Sequence, residues 1–291
     1  TYPEVENWVL KVLTYLLQRS YDEIFADNLY SFRPCRGVHD AVKKLTQHPS
    51  IQKRWCYKAD IRNYFNSVPV RQMLPLLKST LAEQPAVYTF LEALLTNPLV
   101  EDCGQLIEEE KGIMAGTPIS AFLANLYLAH VDRYFADQGI LYARYSDDII
   151  LFHESREALD QAVAQLHRFL EEAGLCIHPD KQSYTAPGEM WTFLGICYQK
   201  GIIDVAPASV EKLKAKMRRK TRSLIRWKAR KGATGIQTAK AFIRVFNRKL
   251  FENTAEHELT WTLWYFPVIN TTTSLQIIDT YCQSCIRYLA T

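Results

Sequence analysis

Hydrophobic residues recur every three or four positions along much of the chain, and this spacing predicts amphipathic α-helices. The first helical stripe lies within residues 4–29 and ends before a segment punctuated by Pro34 and Gly37. Further helices are predicted over 39–45, over 70–97 with interruptions at Pro75 and Pro85, from the loop at 112–120 to Gly139, from an N-cap at Ser155 to Gly174, and from residue 209 onward.

Short apolar segments without this spacing predict β-strands at 55–61, 140–145, 149–152 and 191–198. Only Ser146, Asp147 and Asp148 separate the second strand from the third, so these strands form a β-hairpin with two carboxylates at its tip. A small antiparallel sheet with helices behind it places the chain in the α+β class.

The composition is that of an ordinary globular protein. Of the 291 residues, 48% are hydrophobic and 23% are charged, which excludes a disordered tail, a fibrous repeat and a small disulfide scaffold. Charged residues interrupt every apolar run before it reaches the ~20 residues that span a bilayer, so no membrane partner is expected. Seven dispersed cysteines fit reduced thiols in the cytoplasm. Cys282 and Cys285 lack the second pair that a zinc site needs.

The net charge of +4 is unevenly distributed. Residues 209–250 contain fifteen Lys and Arg against one acid, so this segment carries +14 and the rest of the chain −10. A solvated helix face usually mixes both signs, whereas repulsion at this density is relieved by a polyanion. The segment therefore predicts a nucleic-acid interface, and four of its residues are the candidate contacts: Lys216, Arg218, Arg219 and Arg222.

Adjacent carboxylates at a hairpin tip indicate a cation site, because Asp147 and Asp148 repel each other between Tyr145 and Ile149. A surface turn is the alternative, since Asp is common there. Asp60, at the end of another strand, supplies a third carboxylate. Oxygen ligands suit Mg²⁺, with Mn²⁺ as the alternative, and three acids can hold two ions. Neighbouring strand residues face opposite sides, so we expect Asp147 to be the more direct ligand.

Six motifs follow one another in an order and spacing that resemble the reverse transcriptases of the prokaryotic group II intron and retron type: SFRPCRG, KADIRNYFNSV, GIMAGTPISAFLANLYL, YSDD, GLCIHPDK and WTFLGI. The likeness covers almost the whole chain. It implies an RNA-directed DNA polymerase with a right-hand fold, in which partial fingers span 1–54, the palm 55–206 with a fingers-contributing insertion at about 70–112, and the helical thumb 207–291. The implied partners are an RNA template, which includes a dedicated non-coding RNA as one option, a DNA product and dNTPs.

The resemblance also implies roles for individual residues. Asp60, Asp147 and Asp148 match the catalytic aspartates that bind two Mg²⁺ ions, and the backbone of Ile61 matches a further metal contact. Lys181 matches the lysine that protonates or neutralises the leaving pyrophosphate. The remaining matches are the nucleotide-binding residues Arg33, Arg36, Phe65 (the gate against a ribose 2′-hydroxyl) and Gly116, and the primer grip Phe193, Leu194 and Gly195. The alternatives are a solvated lysine at 181, a helix-bridging arginine at 33 and a core phenylalanine at 65.

Three departures from the family pattern bear on the biological role. Met114-Ala115-Gly116 replaces the usual Pro-Gln-Gly, Ala121 replaces a Pro, and Ser146 replaces an Ala. The missing Gln puts ordinary templated copying in doubt, and the departures resemble lineages that serve antiphage defence, with intron and retron enzymes as the alternative. An untemplated nucleotidyltransferase and a non-catalytic RNA-binding scaffold are the other hypotheses. The oligomeric state is left open.

Overall fold

The computed structural model describes residues 3–97, 99–102, 105–108, 112–113, 115–252 and 260–291. Met114 of the predicted nucleotide loop lies outside the described residues. The described part contains twelve α-helices: α1 (Glu4–Ser20), α2 (Val38–Thr46), α3 (Tyr64–Ser67), α4 (Val70–Thr80), α5 (Pro85–Thr96), α6 (Pro118–Tyr127), α7 (Ala129–Asp137), α8 (Arg156–Glu172), α9 (Pro207–Lys231), α10 (Gly235–Leu250), α11 (Trp261–Tyr265) and α12 (Thr273–Ala290).

The described part also contains nine β-strands, all in antiparallel pairs: β1 (Trp55–Asp60), β2 (Leu99–Asp102), β3 (Gln105–Glu108), β4 (Leu141–Tyr145), β5 (Asp148–His153), β6 (Ser183–Thr185), β7 (Trp191–Phe193), β8 (Ile196–Gln199) and β9 (Ile202–Val205). They form a four-stranded sheet in the order β4-β5-β1-β6, a β2-β3 hairpin and a three-stranded sheet in the order β7-β8-β9. The predicted α+β class is confirmed.

The chain divides into two compact units, Thr1–Pro187 and Gly188–Thr291. The sequence placed the palm–thumb boundary at 206/207, so it assigned strands β7 to β9 to the palm. In the structure these strands belong to the second unit, because β9 packs against α12. The structural division therefore falls about twenty residues before the predicted boundary.

The first unit is organised around the four-stranded sheet, whose inner strands are β5 and β1. Four consecutive residues of β5, Ile149 to Phe152, are fully buried, which indicates that both faces of the strand are covered. Helix α8 packs against β1 and β5, while α7 packs against β4. The sheet thus supplies a rigid base for the side chains at the strand ends.

The second unit is built on a helical core. Every third or fourth residue of α9 is buried, and this stripe packs against α10 and α12: Val210, Leu213, Met217, Thr221 and Leu224. Helix α10 begins at a capping box formed by Thr234 and Gln237. A Cβ on Gly235 would lie 2.1 Å from the Ala290 carbonyl oxygen, so only glycine allows the end of α12 to approach this closely.

Three element predictions need correction. Pro75 lies inside α4 instead of interrupting it, and burial of Met73 and Leu77 offsets the loss of one helical hydrogen bond. The helix predicted up to Gly139 is divided into α6 and α7, which meet at Leu128. The strand predicted at 191–198 is a hairpin of β7 and β8 with Leu194 at its turn.

Candidate active site

Two of the three predicted aspartates face each other across the sheet. Strand β1 runs antiparallel to β5 in a register that places Asp60 opposite Asp148. Residues directly opposite in such a pair have their side chains on the same face, about 5 Å apart at Cβ. Asp60 is the last residue of β1 and Asp148 is the first residue of β5, so both lie next to the hairpin turn. The fold therefore brings these two carboxylates together.

The third aspartate, Asp147, lies in the turn between β4 and β5. Its carbonyl oxygen accepts a hydrogen bond of 2.9 Å from the backbone N–H of Ile61, the residue that follows Asp60. The preceding residue, Ser146, has a φ of 60°, in the left-handed region that a side chain rarely adopts. The backbone of Ile61 therefore lies beside the aspartate turn.

The site is poorly suited to uncompensated negative charge. Burial raises the pKa of the Asp147 carboxyl, and the nearby Asp60 carboxylate raises it further. Burial is also the main cause that raises the pKa of Asp148, where Lys58 acts in the opposite direction and Asp147 adds to the rise. Both shifts show that burial disfavours the charged forms of these carboxylates more than the nearby lysines favour them.

Lys181 supplies one positive charge to this cluster. Its Nζ donates a hydrogen bond of 2.8 Å to Oδ1 of Asp60, and this bond raises the pKa of the lysine. The segment before Lys181 is fixed to the end of β1, because the N–H of His178 donates to the Asp60 carbonyl oxygen and Ile177 bridges to Ile61. The sequence-predicted lysine therefore belongs to the aspartate site.

The donor set fits a divalent cation. Carboxylate oxygens are hard ligands of the kind that Mg²⁺ and Mn²⁺ prefer, and the Lys181 ammonium on Asp60 shows where positive charge is stabilised. Within the described residues, no three His, Cys, Asp or Glu side chains are already arranged as a complete ligand set, and Asp60 is engaged by Lys181 instead.

An open cleft of about 440 Å³ lies in the same unit, within the range of small-ligand sites. Its walls include the half-buried ring of Phe65 and the backbone of Gly116, together with Lys11, Phe32 and the first residues of α6. Gly116 has a φ of 84°, and a Cβ there would meet nothing within 4 Å, so its conformation rather than crowding calls for glycine. The structure thus brings two predicted nucleotide-binding residues, Phe65 and Gly116, to one cleft.

The two predicted fingers arginines are engaged within the protein. Arg33 is buried and forms a bidentate pair with Asp22, in which Nε lies 2.7 Å from Oδ1, and it also donates to the carbonyl oxygens of Ala26 and Leu29. This environment favours the helix-bridging alternative over contact with a triphosphate. Arg36 is more exposed and pairs with Asp27 at 2.6 Å.

The predicted primer grip forms the turn of the β7–β8 hairpin in the second unit. Phe193 is fully buried, so its side chain serves the core. Leu194 and Gly195 have φ values of 51° and 80°, and the Leu194 carbonyl oxygen accepts a hydrogen bond of 3.1 Å from Nε1 of Trp264. A Cβ on Gly195 would lie 2.7 Å from the Tyr265 hydroxyl, and the positive φ also favours glycine there.

The basic segment forms most of α9 and α10. On α9 the predicted nucleic-acid contacts all lie outside the buried stripe, with exposed side chains: Lys216, Arg218, Arg219 and Arg222. Among the described residues of this segment, Lys214 pairs with Glu211 at 2.7 Å, whereas Arg218 donates to the Tyr281 hydroxyl. A dense positive surface therefore remains on this helix.

Sequence reasoning missed several residues around the aspartate turn. Phe32 lies in the left-handed region with a φ of 54°, and its ring contacts that of Tyr145 at a centroid distance of 6.4 Å. Arg144 and Asp132 form an ion pair in which neither side chain is exposed. The one available signal was an arginine within an apolar strand, three residues before Asp147.

Comparison with known proteins gives this geometry a context. The family model described as "Reverse transcriptase (RNA-dependent DNA polymerase)" matches residues 4–198. The group II intron-encoded protein LtrA of Lactococcus lactis subsp. cremoris is 25% identical over 173 residues, which are 58% of this chain and 28% of LtrA. The retron Mx65 reverse transcriptase of Myxococcus xanthus is 28% identical over 162 residues, 52% of this chain and 36% of that protein.

The apo telomerase of Candida tropicalis shares the fold, with a TM-score of 0.54 and 11% identity over 98% of this chain and 51% of the telomerase chain. This likeness confirms the predicted right-hand polymerase fold. The chain spans between 16% and 59% of the length of the curated relatives that it matches. Among the described residues, no helix combines the length and the hydropathy required to cross a bilayer.

Proposed function

The chain belongs to the reverse transcriptase family, and on that premise we propose that it is an RNA-directed DNA polymerase that adds dNTPs to a primer with two Mg²⁺ ions. The observation that carries this proposal is the pairing of Asp60 with Asp148 across the sheet, with Asp147 in the adjoining turn. Burial raises the pKa of Asp147 and Asp148, so a hard cation beside these carboxylates would offset the cost of their charge, and this supports the proposal.

In the proposed reaction the primer 3′-oxygen forms a bond to the α-phosphorus of a dNTP, and the bond from that phosphorus to pyrophosphate breaks. Bound Mg²⁺ would promote transfer of the primer hydroxyl proton to solvent water and neutralise negative charge on the leaving group. Asp60, Asp147 and Asp148 would hold the ions. Lys181, released from Asp60, donates a proton to pyrophosphate or balances its charge.

Two further parts of the proposal concern the choice of nucleotide and the binding of template and product. Phe65, at the cleft wall, excludes a ribose 2′-hydroxyl and so selects deoxynucleotides. The exposed basic face of α9 binds the phosphates of the RNA template and the growing DNA. In this scheme the fingers, palm and thumb follow the predicted boundaries, except that β7 to β9 accompany the thumb.

The proposal is tested by extension of a labelled DNA primer on an RNA template with Mg²⁺, using each dNTP singly and all four together. Asp147→Asn/Asp148→Asn removes two of the three proposed metal ligands, and Asp137→Asn, an exposed change on α7, is the matched control. We expect the wild type and the Asp137→Asn control to give full-length product only when all four dNTPs are present. The double variant should give no product. No product from the wild type, with RNA binding retained, would refute the proposal in favour of a binding scaffold.

A second outcome would change the reaction class. Product from one or two dNTPs, or without template, would favour an untemplated nucleotidyltransferase. We consider this alternative because Met114-Ala115-Gly116 replaces the family's Pro-Gln-Gly. The same departures motivate our proposal of a role in antiphage defence. Loss of phage resistance in cells carrying Asp147→Asn would support that role, while resistance unchanged by the substitution, or absent with the wild type, would contradict it.

The nucleic-acid interface is tested separately, by measuring primer-template affinity against salt concentration. Neutralising the four predicted contacts on α9, Lys216, Arg218, Arg219 and Arg222, should weaken binding to every nucleic-acid sequence. It should also reduce the salt slope by roughly 0.9 per lost phosphate contact. A control chain loses the same charge from exposed residues of the first unit: Lys43, Lys44, Arg71 and Lys78. Equal effects in the two chains would show that net charge, not the α9 surface, drives binding.

A further inference from the structure

The turn that carries Asp147 is held by groups outside its own hairpin. Ser146, the first turn residue, is 5% exposed and has a φ of 60°. This conformation is unfavourable for residues other than Gly, Asn and Asp. Two-residue hairpin turns with positive φ usually place glycine or asparagine there. A serine in this position persists only where its surroundings fix it.

Ser31 fixes the N–H of this residue. Its Oγ accepts a hydrogen bond of 2.8 Å from the Ser146 N–H and donates one of 3.1 Å to Oδ1 of Asn125. The Asn125 side-chain amide donates in return to the Ser31 carbonyl oxygen at 2.7 Å. Since Ser31 and Asn125 are both almost completely buried, the hydroxyl has one orientation, and its acceptor lone pair points at the turn.

Arg144 fixes the carbonyl group of the same residue. Its Nη1 donates to the Ser146 carbonyl oxygen at 3.3 Å, while its Nε donates to Oδ1 of Asp132 at 2.8 Å. Both members of this ion pair are fully buried. The N–H and the carbonyl group of Ser146 are therefore held by two different side chains, each of which is fixed by further buried hydrogen bonds.

We propose that Ser31 is a positioning residue, an inference that rests on the proposed function. Together with Arg144, it holds the Ser146 turn in its left-handed conformation. The turn in this conformation places the Asp147 carboxylate for metal binding. The effect passes through the backbone, because Asp147 follows Ser146 directly and its carbonyl oxygen is anchored on the N–H of Ile61. Freed at Ser146, the turn relaxes toward negative φ, and the Asp147 side chain leaves Asp60 and Asp148.

The experiment compares Ser31→Ala with the double variant Ser31→Ala/Ser146→Gly, because glycine adopts the turn conformation without support. Ser274→Ala is the matched control: it removes a buried hydroxyl bonded to Asp204 in the second unit. Four quantities are measured: the affinity for Mn²⁺ by calorimetry, the thermal midpoint, and kcat and KM for incorporation of one dNTP.

For Ser31→Ala we expect Mn²⁺ affinity and kcat to fall about 10- to 100-fold, with KM for the dNTP within roughly threefold. The double variant should regain most of both losses, whereas Ser274→Ala should change only the thermal midpoint. Ser31→Cys, a weaker acceptor of similar size, replaces Ser31→Ala if the latter does not fold, and it should show the same pattern to a smaller extent.

Wild-type Mn²⁺ affinity and kcat in the Ser31 variant would overturn the inference, and so would losses that Ser146→Gly does not relieve. The Mn²⁺ titration needs no polymerisation, so it separates the two hypotheses. A wild type that binds Mn²⁺ but extends no primer refutes the proposed function alone. A wild type that extends primers alongside an unimpaired Ser31→Ala refutes the positioning role alone.

Discussion

Replacing Asp132 by Asn removes the countercharge of an arginine that lies wholly inside the first unit. The Asp132 carboxylate accepts hydrogen bonds from Nε and Nη2 of Arg144 and from the Tyr142 hydroxyl, at 2.9 Å for the last. An asparagine has nearly the same shape, but its amide group directs N–H donors at partners that are themselves donors. The substitution thus isolates the charge and its hydrogen bonds from packing.

The expected loss of stability follows from burial on both sides of the pair, each 0% exposed. Burial alone works to lower the pKa of Arg144, but the charge and hydrogen bonds of Asp132 outweigh it and the pKa is raised. The guanidinium therefore stays charged when its partner is lost. Leaving one member of a buried pair uncompensated costs about 3–5 kcal/mol of the free energy of unfolding, or roughly 6–20 °C in Tm for a unit of this size.

The assay is thermal unfolding followed by near-ultraviolet circular dichroism, with Asp137→Asn on the exposed side of the same helix as the control. The control should shift Tm by about 2 °C or less. Adding Arg144→Met to Asp132→Asn should restore part of the loss, because it removes the unpaired charge. Equal Tm values for the Asp132→Asn and Asp137→Asn variants would refute the reasoning, and a double variant less stable than Asp132→Asn would show that packing dominates.

Three further predictions address the gate, the second unit and the charge of the site. Phe65→Val should raise the ratio of kcat/KM for ribonucleotides to that for deoxynucleotides roughly 10- to 100-fold, and an unchanged ratio would contradict the gate role. Gly235→Ala should destabilise the second unit by about 1–3 kcal/mol in chemical unfolding, because its Cβ would lie 2.1 Å from a carbonyl oxygen of α12; Gly37→Ala, with nothing within 4 Å, is the control. Burial raises the pKa of Asp147 and Asp148, so each carboxyl binds its proton more tightly in the folded state and folding is penalised as pH rises through the raised values. Asp147→Asn/Asp148→Asn should therefore raise Tm in EDTA at neutral pH, with a gain that shrinks as pH falls toward 4; a constant gain would rule out charge as the cause.

The sequence predicted those parts of the site that depend on neighbouring residues. Adjacent acids between two apolar strands mark the Asp147–Asp148 turn, because the two carboxylates repel each other most strongly where apolar neighbours lower the dielectric. The Ser155 cap is also a local signal, and its Oγ accepts a hydrogen bond from Ala158 as expected. Asp60 was placed at a strand end by the same reasoning, and the register with Asp148 then completes the pair.

The features that the sequence leaves undecided or misplaces depend on contacts between distant segments. Arg33 has the residue type of a phosphate ligand, yet its use is decided by Asp22 and two carbonyl groups that the sequence does not place near it. The order β4-β5-β1-β6 puts a strand from residue 55 between strands from 148 and 183, which no periodicity reveals. Pro75 shows the same limit, since local propensity is overridden by burial of its neighbours.

Both turns with a predicted role in polymerisation are constructed by one principle. Ser146 and Leu194 are non-glycine residues with positive φ at the tips of hairpins, where relaxed backbones would use glycine or asparagine. In each case a side chain from another element binds the backbone of the turn: Ser31 in the first unit and Trp264 in the second. Strained conformations persist only where such contacts over-determine them. Strained residues at these two turns therefore indicate that local stability is lower where the backbone is fixed for the proposed contacts with metal and primer.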